Sequence, residues 1–423
     1  MTEITHSMRW VSTLSTKPSL EAAVKEIAEQ AKERILTAPD LGLVFISSAF
    51  ASEYSRLLPL LHDVLQLPCV IGCSGGGVIG TAAEGDSYEI EQQPALSVCL
   101  ATLPSVAVQS FHLTGDDLPD LDSPPDAWIE KIGVAPADNP NFILMADPFS
   151  SGINDLLQGL DFAYPGAVKV GGLASVSSFQ RSSGLFYNDT FYDSGVVGVA
   201  LSGNIVLDAI VAQGCRPIGK TYRVIEGERN ILLKVEEAST LEAAASQTPL
   251  EALQGILQDL SEADRQLAQH SLFVGVAQDS FKEKLDHGDF LIRNLLGVDP
   301  RIGAIAIGDR IRTGQRIQFH LRDARTSAED LETLLMRYRG QIKPQASSSI
   351  GALMFSCMGR GEGLYQEPHF DSHLFNQYLA TVPLSGFFCG GEIGPIGDAT
   401  FLHGYTSVFG ICRPSEEESK TTG

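Results

Sequence analysis

The chain has 423 residues, 43% of them apolar and 19% charged, with a net charge of -22 from 30 basic and 52 acidic side chains. That length exceeds one ordinary core and the composition is that of a globular protein. The acidic balance, with no basic patch to interrupt it, excludes phosphate backbones and anionic lipid as partners. Seven cysteines stand singly, without a C-x-x-C pair, which argues against a disulfide framework or zinc ribbon and for a reducing compartment. The opening MTEITHSMRWVST holds no apolar signal core, and no run reaches membrane-helix length. The expectation is a soluble, cytoplasmic protein.

In chain order, residues 8–12 form a short strand, and Ser19 caps a helix running to about Ile35, with Leu20, Val24, Ile27 and Ala31 at helical spacing. Residues 43–47 (LVFIS) read as a buried strand, 51–65 as an amphipathic helix, and 69–73 (CVIGC) as a second strand ending in the turn SGGG. Residues 95–103 and 106–113 pair behind it. The pattern returns about a hundred residues later: a strand at 142–146 (FILMA), a helix at 154–164 and a strand at 168–172 (VKVGG) ending in LAS. A strand pair at 195–201 and 205–211 follows. Residues 116–140, rich in Pro and Asp, read as a surface connection. Residues 240–270 read as largely helical, 272–277 as a strand, 290–319 as two or three strands, and 327–339 as a helix. A third strand–helix–strand unit fills 351–413, where GALMFSCMGRGEG and VPLSGFFCGGEIGP each end in glycine-rich turns.

The fold class expected is therefore α+β: internally repeated strand–helix–strand units, mixed and antiparallel sheets flanked by helices, and two domains whose boundary falls near residues 214–237. Glycine-ended strands at the same place in each copy put their turns across a shared cleft. Glycine there permits positive φ and close backbone approach.

Chemistry-bearing residues cluster at those strand exits. Cys357, Arg360, Glu392 and His403 supply a thiol, a fixed cation, a carboxylate and an imidazole. A charge among glycines and apolar residues is costly to bury unpaired. Arg360 and Glu392 either bridge one another or face a zwitterionic ligand, Arg360 toward a carboxylate and Glu392 toward an ammonium. Cys357 is either a packed core thiol or a reactive one beside the guanidinium, and His403 is either a hydrogen-bonded core histidine or a pocket residue. The turns carrying Gly72, Cys73, Ser74 and Gly75, and Gly171, Gly172 and Ser175, offer amides and hydroxyls to an anionic group, or tight packing between repeats.

Two further patterns carry little. GCRPIGKT at 214–221 satisfies the phosphate-loop spacing, but Pro217 removes an amide and a β-branched segment follows Lys220 where a helix is needed; it reads as an inter-domain turn. HFDSH at 369–373 spaces two imidazoles as metal ligands are spaced, yet reads as solvated polar residues with Asp371 or Ser372 as a cap.

Taken together, GCSGGG at 72–77, VGGLAS at 170–175, QGCRPIG at 213–219, FSCMGRG at 355–361, PLSGFFCGGEIGP at 383–395 and FLHGYT at 401–406 resemble the FIST family, named for F-box and intracellular signal transduction proteins. The resemblance implies a FIST N-like domain over 37–225 and a FIST C-like domain over 226–413, after an N-terminal strand and helix at 1–36 and before a flexible acidic tail at 414–423. It implies a sensory, small-ligand-binding module, with amino acids or their derivatives as ligands and a signalling protein as possible partner. No cofactor, metal or catalytic residue is expected. A thiol-dependent enzyme acting through Cys357 and a protein-interaction adaptor are the alternatives.

Overall fold

Each apolar run that ends in glycine becomes one of a pair of parallel strands in the computed structural model, which describes residues 7–35, 37–175, 183–238, 245–279, 282, 284–342 and 349–415. The chain divides into two units, residues 1–211 with 332–423, and residues 212–331.

The first unit is a strand–helix–strand–helix–strand–hairpin–strand motif used three times. The first repeat comprises β1 (Arg9–Ser15), α1 (Leu20–Arg34), β2 (Leu41–Ser47), α2 (Tyr54–Val64), β3 (Val70–Gly75), the hairpin β4 (Gly77–Thr81) and β5 (Ser87–Glu91), and β6 (Leu96–Thr102). The second runs β7 (Val106–Leu113), α3 (Pro125–Ile132), β8 (Asn141–Ala146), α4 (Ile153–Ala163), β9 (Lys169–Leu173), β10 (Leu185–Tyr187), β11 (Thr190–Tyr192) and β12 (Val196–Gly203).

The third opens with β13 (Val206–Ala212) and is interrupted in sequence by β14 (Cys215–Glu228), β15 (Ile231–Glu237), α5 (Pro249–Asp259), α6 (Glu262–Ala268), β16 (Leu272–Ala277), β17 (Phe290–Asp299), β18 (Ala304–Ile307) and β19 (Arg316–Arg322). It resumes with α7 (Ala324–Gln341), β20 (Gly351–Cys357), α8 (Gly361–Tyr365), α9 (Phe370–Tyr378), β21 (Leu384–Cys389), β22 (Glu392–Ile396), β23 (Ala399–His403) and β24 (Ser407–Arg413).

Three six-stranded sheets result, ordered β1-β6-β2-β3-β10-β11, β7-β12-β8-β9-β22-β23 and β13-β24-β20-β21-β4-β5. In each, the hairpin at one edge comes from a different repeat: β10–β11 joins β3, β22–β23 joins β9, and β4–β5 joins β21. The three repeats thus exchange hairpins in a closed cycle. Side chains alternate between two faces. One face of every sheet feeds a shared core through Phe45, Cys73, Met145, Val170, Phe355 and Phe387. The other faces carry helices, with α1 and α2 over the first sheet and α3 and α4 over the second.

The pairing explains one glycine per repeat. Gly72, Gly171 and Gly386 stand opposite Val44, Leu144 and Met354 on the parallel neighbour. A Cβ at these glycines would lie 2.1, 1.8 and 1.9 Å from the facing carbonyl oxygen.

Four readings need correction. Residues 95–103 and 106–113 do not pair, nor do 195–201 and 205–211: β6 lies between β1 and β2, β12 lies between β7 and β8, and β13 neighbours β24, so each short connection passes from one sheet to the next. Residues 116–140 are not merely a connection: α3 buries Trp128 and Ile132, and Trp128 lies against Gly159 of α4, an aromatic anchor inside a Pro- and Asp-rich stretch. The phosphate-loop pattern is neither a loop nor a turn. Residues 215–228 are one strand, bulged between Ile218 and Tyr222 where Gly219 takes φ +62°, and Lys220 pairs with Glu237 at 2.8 Å. The HFDSH residues are not all solvated, since Asp371 and Ser372 are fully buried. The 240–244 part of the expected helical segment and the tail beyond 415 lie outside the described residues.

The second unit is a closed barrel, β14-β15-β18-β17-β16-β19, filled by Val224, Val235, Val274, Ile305, Ile317 and Phe319 with Leu253 and Ile256 of α5. Among the described residues no helix is long and apolar enough to cross a membrane.

Candidate functional site

The C-terminal ends of the parallel strand pairs β2/β3, β8/β9 and β20/β21 are joined by hydrogen bonds between their turns. The Ser175 hydroxyl accepts the Gly76 N–H at 2.6 Å and donates to the Phe388 carbonyl, so one side chain ties all three repeats together. The Ser74 hydroxyl accepts the Gly184 N–H at 2.9 Å, and the Ser175 N–H donates to the Ser74 carbonyl at 3.2 Å. Leu173 N–H donates to the Gly391 carbonyl at 2.7 Å and Gly390 N–H to the Leu173 carbonyl at 2.9 Å. These amides serve the scaffold. Gly75 is closed in by the Gly77 carbonyl and Phe387, and Gly172 lies against the Cys389 sulfur.

The third repeat adds chemistry to this junction. Glu392 is 0% exposed, and Oε2 accepts the Thr406 N–H at 3.1 Å. The Thr406 carbonyl in turn accepts the Cys357 N–H at 3.0 Å. His403 pairs with Glu392 across β22 and β23, and its Nε2 lies 3.0 Å from the Gly394 carbonyl. Cys357 stands beside Cys389 in register, and it is the half-buried thiol where the other six cysteines are buried. Met358, 47% exposed, lies across Gly76. Tyr405, next to Thr406, takes φ +68°, a conformation that side chains adopt at a price in strain and that collects at functional sites.

The internal symmetry isolates Glu392. Val78 of β4 pairs with Phe387, Leu185 of β10 with Cys73, and Glu392 of β22 with Gly172; each partner follows the close-approach glycine of its strand. Val78 and Leu185 belong to the shared core. The third copy of the position is a carboxylate. Its cross-strand neighbours are Ile90 and Tyr192 in the first two copies and His403 in the third.

Of the residues singled out from the sequence, Ser74, Gly75, Gly172, Ser175, Cys357, Glu392 and His403 meet at this junction. Gly72 and Gly171 lie deeper, in the strand pairing. The Cys73 thiol faces the core, where burial pushes its pKa well above the ordinary value. Arg360 does not bridge to Glu392. Its Nε and Nη2 donate to the two oxygens of Asp371 at 2.7 and 3.0 Å, with both residues 0% exposed, and Nη2 reaches the Tyr365 hydroxyl at 2.6 Å. A carboxylate of the protein itself takes the bidentate geometry. Thr406, Met358 and Cys389 complete the junction, and Asp371 the Arg360 pair, without having been singled out from the sequence as site residues. Asp371 alone left a signal, in the HFDSH pattern.

Two cavities, of about 330 Å³ beside Ile35, Pro39 and Leu67 and about 400 Å³ beside Pro140, Tyr164 and Ala167, open at the opposite ends of the parallel strands. In such sheets ligands favour the C-terminal ends. No group of three or more His, Cys, Asp and Glu side chains able to hold a metal occurs among the described residues.

Three hairpin-exchanged repeats around one core, with a barrel inserted in sequence, define a repeat-built α+β protein. Residues 40–238 match the FIST N domain and residues 249–395 the FIST C domain, so the chain belongs to the FIST family, whose domains are sensory domains of signal transduction. The step between the two matches falls inside the barrel. An uncharacterised protein of Mycobacterium bovis is 32% identical over 401 residues, covering 94% of this chain and 96% of that one. An F-box/LRR-repeat protein of Arabidopsis thaliana is 24% identical over 231 residues, covering 50% of this chain and 43% of that one. A crystal structure of cyanuric acid hydrolase from A. caulinodans covers 95% of this chain and 99% of that one at 10% identity, but its TM-score of 0.33 defines no shared fold.

Proposed function

We propose that this chain is a sensory module that holds a small, amino-acid-like ligand at the junction of the three glycine-rich strand ends. The observation that carries the reading is Glu392, a fully buried carboxylate where the two sister positions hold Val78 and Leu185. Folding alone is served by an aliphatic side chain there, so a carboxylate in the third copy points to a role beyond packing. An ammonium group is the complementary ligand feature. Cys357 and His403 line the approach, and Ser74, Gly75, Gly172 and Ser175 shape its floor, with Gly72, Cys73 and Gly171 beneath them in the strand pairing and core. Arg360, held by Asp371, fixes the segment that follows Cys357.

A thermal-shift screen of amino acids and small carboxylates tests this. At a hundredfold excess over Kd a ligand of the wild type is expected to add about 2.7 kcal/mol of stability, and Glu392→Gln to lose most of that shift. No stabilising compound, or an equal shift in Glu392→Gln, contradicts the assignment.

A further inference from the structure

The helical side of the third sheet differs from its two sisters. On the first sheet Phe186 pairs with Phe191, and on the second Ile393 pairs with Leu402; on the third, Ile79 pairs with Glu89. Ile46 and Leu96, then Ala146 and Val196, are replaced by Ser356 and Ser407, whose buried hydroxyls have no hydrogen-bond partner among the described residues. The covering helix changes to match: α2 buries Tyr54, Leu57, Leu58 and Leu61, whereas α9 opens its buried face with Asp371 and Ser372.

Glu89 is 3% exposed. Its Oε1 accepts the Ser372 N–H at 2.6 Å, and its Oε2 has no partner among the described residues. From α9 it faces Asp371, and Nδ1 of His369 sits 2.8 Å from its backbone carbonyl. Tyr365 and Arg360 come from the segment before α9, and Glu91 from its own strand, Glu91 accepting the Glu362 N–H at 2.9 Å. The one guanidinium in this set makes its bidentate pair with Asp371.

We propose that Glu89 and Asp371 form a proton-operated latch, in which neutral Glu89 closes the β4–β5 hairpin of the first repeat under α9 and ionised Glu89 loosens it. Burial, and then the Asp371 charge, raise the Glu89 pKa to about 8. A loosened state with Glu89 in water titrates near 4.5, so closing takes up a proton between those values. The closed state is fully favoured below about 4.5 and loses its advantage as pH rises to about 8. Opening therefore grows about tenfold per pH unit across that window and levels off above it.

Native-state hydrogen exchange of the α9 amides, corrected for intrinsic base catalysis, reads this directly. The wild type is expected to show the tenfold-per-unit rise from about pH 5 to 8 and then a plateau. Glu89→Gln should be flat, and α4 should show no such slope in either protein. Equal slopes in wild type and Glu89→Gln, or α4 rising together with α9, overturn the latch. Should Glu89→Gln fail to fold, the carbon-13 carboxyl titration of wild-type Glu89 decides: a midpoint near 8 supports the proposal, and one near 4.5 ends it.

Discussion

Gly386→Ala is expected to abolish folded protein, and Gly171→Ala to do the same. The added methyl carbon would stand 1.9 Å from the Met354 carbonyl oxygen in the first case and 1.8 Å from that of Leu144 in the second. Neither obstacle is a flexible side chain. Both are backbone, fixed by ladder hydrogen bonds within a parallel pair whose other face feeds the shared core. Relief requires separating two central strands, so the loss should exceed about 4 kcal/mol, in the range reserved for broken core geometry. Gly404→Ala is the control, since nothing lies within 4 Å of a Cβ there. Soluble yield and the melting transition compare the three; a well-folded Gly386→Ala protein would show that the strand pairing described above is wrong.

The second large effect belongs to Arg360. Replacing it with alanine leaves Asp371, itself 0% exposed, as a buried carboxylate without its cation and beside Glu89. Removing one partner of a buried pair costs about 3–5 kcal/mol, most of it the penalty of the charge left behind. The double variant Arg360→Met/Asp371→Leu removes both charges and should recover most of that loss. Chemical denaturation of the single and double variants measures the difference. If the double variant is no more stable than Arg360→Ala, the buried charge is not what the single variant suffers from.

The repeats were legible in the sequence because one strand of each parallel pair is a short apolar run carrying a glycine: CVIGC, VKVGG and LSGFFC all announce the same element. The exchange of hairpins was not. Strands such as LFY and TFY are too short to show a period, and their partners lie in another repeat. The barrel was obscured by β14, whose fourteen residues are interrupted by bulges that break the two-residue alternation.

At the junction, Cys357, Glu392 and His403 were readable as polar residues set among glycines. Asp371 and Glu89 were not, because HFDSH and SYEIE have the look of solvated surface. Their burial follows from a contact between residues 89 and 372, far apart in the chain. The pairing of Arg360 was missed for a related reason: the sequence offered Glu392 as the conspicuous carboxylate, while α9, the second helix after Arg360, carried the partner Asp371.

The central claim is that a ligand occupies the junction beside Cys357. The most direct measurement is the rate of iodoacetamide labelling of Cys357, the half-buried cysteine, with and without the amino acid or carboxylate that gives the largest thermal shift. At a hundredfold excess over Kd about 1% of the protein is free, so labelling should slow about a hundredfold. A compound that stabilises the protein yet leaves the labelling rate unchanged would place its site elsewhere and contradict the account.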